Sequence, residues 1–140
     1  MKHIGIVIKG LFLFIIVILI TSGCNVETKK KRAEIDQKLK YFETKLDILD
    51  RNIDAFNPIS LPLDYAMKRY DSIKSDYDTL STEIDTFEVV LFGDDLFANN
   101  PIATKEQRDR YTSLTDRQIG LIDRMQSITL ALDAKVNLLK

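Results

Sequence analysis

The residues in this chain that could do chemistry are few. Cys24 is the only cysteine and His3 the only histidine in 140 residues. A single cysteine rules out an intrachain disulfide. Asp94, Asp95, Asn99 and Asn100 place four oxygen donors close together, as a hard cation would want. Their spacing lacks the alternating ligands, central glycine and late glutamate of a calcium loop, so turn and capping chemistry is the reading and no metal is expected. The serines have no histidine base outside the first few residues, and no Gly-rich phosphate loop is present. The remaining carboxylates fall mostly between apolar positions, where they are solvated. A glycosidase could work with carboxylates alone, but it needs a cleft that fixes their separation. No catalytic residue and no cofactor is expected, and the chain reads as a non-enzyme.

Cys24 has an informative setting. Lys2, His3 and Lys9 form a positively charged leader, and Leu11 to Ile20 is an unbroken apolar run of ten residues. Ten residues suit the core of a secretory signal and fall short of the roughly 20 that span a bilayer. Extending the run back to Ile4 would place Lys9 in hydrocarbon, at about 2.5–3.5 kcal/mol. A cleaved signal is therefore favoured over a retained span. The run ends in Thr21-Ser22-Gly23-Cys24, which resembles the lipobox of bacterial lipoproteins, with Thr21 where that family usually has an aliphatic residue. The resemblance covers residues 1–24 alone. It implies acylation of Cys24, palmitate among the acyl groups, and cleavage that leaves Cys24 as the new N-terminus. It also implies anchoring on the extracytoplasmic side of a cell membrane or outer membrane. Two or more acyl chains, at about 0.8 kcal/mol per buried CH₂, make such an anchor stable.

Loss of residues 1–23 removes Lys2 and Lys9 and no acid, leaving 18 basic against 21 acidic residues. That balance excludes a nucleic-acid-binding role. Residues 24–30 read as the lipidated cysteine and a short polar tether, and 31–140 as one small domain. Lys29, Lys30, Lys31 and Arg32 follow the tether, and near an anionic surface each charge contributes about 1 kcal/mol.

The domain is patterned for helices. Ile35, Leu39, Phe42, Leu46, Leu49, Ile53 and Phe56 alternate spacings of four and three, the a/d seam of a coiled-coil-like helix over about 31–56. Asn57-Pro58 ends it. Ser60 is expected to cap a second helix over 63–92, whose seam is Leu63, Ala66, Tyr70, Ile73, Tyr77, Leu80, Ile84, Phe87 and Leu91. The two tyrosine hydroxyls require water or polar partners. After a connector over 92–103, Thr104 and Gln107 have the form of a capping box. A third helix over 104–140 carries Tyr111, Leu114, Leu121, Met125, Ile128, Leu132 and Leu139. Gln118 and Lys135 interrupt this seam, and Ile119, Ile122 and Val136 are expected to widen it. The architecture expected is all-α: an elongated antiparallel three-helix bundle behind a signal peptide.

Two kinds of function fit. One is an anchored interaction module that binds a protein or a cell-wall polymer, with exclusion or immunity-type inhibitor lipoproteins as a subclass. The other is a structural spacer that forms homo-oligomeric coiled coils. Up-down-up topology would put the 57–62 connector and the C-terminal end away from the membrane. It would return the 92–103 connector to the bilayer, where Phe92, Leu96, Phe97 and Ile102 could dip into headgroups or else cap the core.

Overall fold

The computed structural model describes the backbone of residues 2–92 and 102–139, and side chains from residue 26 onward within those ranges. Most of the described residues are helical and none is in a strand, which makes the protein all-α. The helices are α1 (Lys2–Asp54), α2 (Leu63–Phe92) and α3 (Lys105–Leu138). The chain divides into two units, Met1–Glu34 and Ile35–Lys140.

In the first unit, residues 25–30 are helical and continuous with the rest of α1. Nothing between Asn25 and Glu34 breaks a helix, and Glu27 pairs with Lys31 one turn later at 3.1 Å. That order, acid before base at i,i+4, is the helix-stabilising one.

The second unit is the bundle. Every expected α1 seam residue from Ile35 to Phe56 is buried. On α2, Ala66, Ile73, Tyr77, Leu80, Ile84, Phe87 and Leu91 are buried, with Tyr70 packed at the margin. On α3 the seam is more regular than its apolar residues suggest. Gln107 and Gln118, only 3% and 6% exposed, fill the places before Tyr111 and between Leu114 and Leu121, in line with Met125, Ile128 and Leu132. Ile119 and Ile122 do not widen the seam. They are 60% and 39% exposed, because glutamine holds the inward place beside them. Leu139 is also exposed.

The connectors explain the helix ends. The Asn57 side chain accepts the Ile59 N–H at 3.1 Å, and the Ser60 hydroxyl donates back to the Asn57 carbonyl at 3.1 Å. Ser60 is therefore committed to the turn and does not cap α2. The first bond of α2 runs from the Ala66 N–H to the Pro62 carbonyl. The α3 capping box forms as expected: the Gln107 N–H donates to Thr104 Oγ1 at 3.2 Å and the Thr104 N–H to Gln107 Oε1 at 3.0 Å. These bonds satisfy two of the N–H groups that a helix start leaves without partners.

Candidate functional site

The three interhelical flanks are closed by different chemistry. Between α1 and α3, Arg110, Arg117 and Arg124 recur every seven residues and meet an acidic stripe. Arg110 pairs with Asp36 (3.2 Å) and Glu43 (2.9 Å), and Arg117 with Asp47 (2.7 Å) and Asp50 (3.0 Å). Arg124 pairs with Asp50 (2.6 Å) and Asp54. Residue numbers rise together in these pairs, so α1 and α3 run parallel. Burial works against the Arg117 cation, yet its hydrogen bonds to Asp47 and Asp50 prevail and hold its pKa above the ordinary arginine value.

Between α2 and α3 the cross-links are hydrogen bonds. Tyr70 and Thr129 share one at 2.6 Å, the Tyr77 hydroxyl donates to the Gln118 carbonyl at 3.4 Å, and Gln118 Nε2 donates to Ser81 at 3.2 Å. The Tyr111 hydroxyl donates to the Ile84 carbonyl at 3.3 Å. Burial above all, with Glu88 and Asp85 nearby, pushes the Tyr111 phenol up to about 12. The expected polar partners of the α2 tyrosines are thus supplied by α3. Numbers run in opposite directions here, so α2 is antiparallel to α3.

The α1–α2 flank is the most open. One ion pair, Lys38–Glu83 at 3.1 Å, crosses it among the described residues. A shallow groove of about 190 Å³ lies beside it, lined by Tyr41, Ile48, Leu49 and Leu80 with Lys45 and Asp76. That volume is below the roughly 300–1,000 Å³ of a small-molecule site.

At one end of the bundle, Lys135 Nζ donates to the carbonyls of Pro58 (2.9 Å), Ile59 (3.0 Å) and Leu61. This seam-breaking lysine thus ties α3 to the first connector. It brings the connector to the same end as the 86%-exposed Leu138, with Ile59 and Leu139 also exposed. At the other end, Phe92 packs edge-on against Tyr111 with ring centroids 6.0 Å apart and joins the core margin. Phe92 therefore caps the core. Ile102 is exposed beside the buried Ala103. Leu96, Phe97, Asp94, Asp95, Asn99 and Asn100 lie outside the described residues, as does the side chain of Cys24.

Lys29, Lys30, Lys31 and Arg32 are exposed along α1. Among the described residues, no group of three or more possible ligands could hold a metal ion, and no helix is long and apolar enough to cross a membrane. The arginine ladder is what sequence reasoning missed, although its signal, arginine at a strict seven-residue interval on the helix opposite an acidic stripe, was there. The described residues form a three-helix bundle whose surface offers grooves and tips. Comparison with protein-family models, curated proteins and solved structures finds no match.

Proposed function

We propose that this protein is a lipid-anchored, non-catalytic interaction module of a bacterial cell envelope. The observation that carries the reading is the sequence of residues 1–24: a charged leader, ten apolar residues, then small residues and the lone cysteine. Acylation of Cys24 would fix the chain to the outer face of a membrane. Lys29 to Arg32 would lie near anionic headgroups and add to the attraction. What supports an interaction role is the exposed end built from Ile59, Leu138 and Leu139 around the Lys135 clasp. Partner-binding surfaces tend to gather such aliphatic groups with a polar rim.

The test is expression of the full chain in a bacterial host fed labelled palmitate. Wild-type protein should take up label, lose residues 1–23 and show acyl mass on Cys24. Cys24→Ser should take up none and keep its leader. Unlabelled wild type that retains residues 1–23 would mean a signal anchor. Capture of a specific envelope component by the anchored protein would support the module, and loss of that capture in Leu138→Asp would place contact at the exposed end.

A further inference from the structure

The flank shared by α2 and α3 carries an apolar face with no partner, and the charges around it state what would cover it. On α3, Ile119 and Ile122 are 60% and 39% exposed, and Met67 is exposed on the α2 side of the same flank, further along towards the Tyr70–Thr129 pair. On α2 the same flank carries Asp64, Asp71, Asp78 and Asp85, all exposed, at a strict seven-residue interval. That they face α3 follows from the hydrogen bonds of their neighbours Tyr70 and Tyr77 to α3, and from the influence of Asp85 on the Tyr111 phenol.

This repeat does little for the fold itself. Among the described residues, no ion pair crosses from α2 to α3, and of the four aspartates only Asp78 has a cationic partner, Lys74 on its own helix at 2.9 Å. Seven residues separate successive aspartates by about 10.5 Å, close to the Debye length at physiological salt, so the row neither repels itself strongly nor needs neutralising. The other acidic stripe of this bundle, on α1, behaves differently. It is met by Arg110, Arg117 and Arg124 at the same seven-residue interval. The molecule therefore shows what complements such a row: a helix with a cation every second turn.

We infer that the α2–α3 flank docks a basic amphipathic helix of a partner protein. Its aliphatic stripe would lie over Ile119 and Ile122 and reach Met67 several turns further along, and its lysines or arginines, two turns apart, would lie over Asp64, Asp71, Asp78 and Asp85. This is helix-on-face recognition, with apolar anchors for affinity and a charge ladder for register and orientation. The inference rests on the interaction-module reading but not on the lipid anchor.

The experiment uses the full chain in neutral detergent micelles. The probe is a labelled synthetic helix of about four heptads with leucine at the a and d positions and arginine at g. Its counterpart carries glutamate at g. The arginine peptide should bind and weaken as salt rises, and the glutamate peptide should not bind. Asp64, Asp71, Asp78 and Asp85 changed together to Asn should weaken binding about tenfold or more. Ile119→Ser with Ile122→Ser should do the same, and both variants should keep the wild-type helical circular dichroism at the temperature of the binding assay, since all six side chains are on the surface. A control with Asp116 and Asp123 changed to Asn should bind as wild type. Three results would overturn the inference. One is equal weakening by the control set, meaning attraction to acidic surface in general. Another is retained binding in the Ile119/Ile122 variant. The third is self-association abolished by Ile119→Arg, meaning that a second copy covers the face. Partner capture that depends on Leu138 but not on the aspartates would sink this docking face and leave the module reading standing.

Discussion

Leu46 and Ile84 have no exposed surface, while Lys45, next to Leu46, is exposed over the Tyr41 ring with its ammonium 5.6 Å from the centroid. Leu46→Asp or Ile84→Asp puts an unpaired charge into the core and should cost about 3–5 kcal/mol each. Lys45→Asp should change unfolding by under about 1 kcal/mol. Urea titrations of the three variants check this, and equal losses would mean the seam register is wrong. Tyr111 gives a pH prediction. Its folded pKa, about 12, lies above the ordinary tyrosine value of 10.0. The folded state therefore holds the proton more tightly, and the stability this brings is complete below pH 10. It is lost as pH rises from 10 towards 12, by at most about 2–3 kcal/mol. Tyr111→Phe should flatten that alkaline loss, and the ultraviolet tyrosinate signal should show one phenol titrating late. At this scale the sequence was legible where the seam residue was apolar. It misled at Gln118, whose side chain looks like an interruption but is buried because Ser81 accepts its hydrogen bond, and so at Ile119 and Ile122, which are left outside.

α3 is held by two devices whose salt responses differ. Its N-terminal capping box consists of short local hydrogen bonds, and Thr104→Ala should cost about 1 kcal/mol at any ionic strength. The arginine ladder is electrostatic and partly exposed, with about a third of the Arg117 side chain accessible. Exposed pairs contribute about 0–1 kcal/mol each, although Arg117 meets two carboxylates and shares Asp50 with Arg124. Arg117→Ala should therefore cost about 1 kcal/mol in dilute buffer and markedly less near 1 M salt, where the Debye length is about 3 Å. Denaturation at the two salt concentrations separates the devices, and a salt-independent Arg117 effect would mean its methylenes matter more than its charge. The end of α1 and the start of α3 were readable because Asn57-Pro58 and Thr104-Lys105-Glu106-Gln107 are local signals. The cap of α2 was not, because whether Ser60 serves a helix or a turn depends on Asn57 accepting from Ile59 first. The ladder was not read as such because its meaning lies in which two helices become neighbours.

Across the bundle, the three seams meet in one core. Ile35 to Phe56 of α1, Ala66 to Leu91 of α2 and Tyr111 to Leu132 of α3 form a single buried cluster, with Ala103 at the connector. This bears on the choice between an interaction module and a homo-oligomeric spacer. A coiled-coil spacer must present an apolar seam to other chains. Here each helix spends its seam on the other two, and what remains outside is scattered aliphatics and the α2–α3 face. Opening the bundle to share seams between chains would expose most of that core, at roughly 1.5–3 kcal/mol for each large side chain before any regained contact. The expected outcome is that the full chain sediments as a monomer in neutral detergent across a wide concentration range, and that Ile73→Asp unfolds it without changing its mass. A stable trimer whose helicity falls with dilution would mean the seams are completed between chains, and the spacer would replace the module. A monomer whose helicity is independent of concentration leaves the bundle complete in itself, with its outer faces free for other molecules.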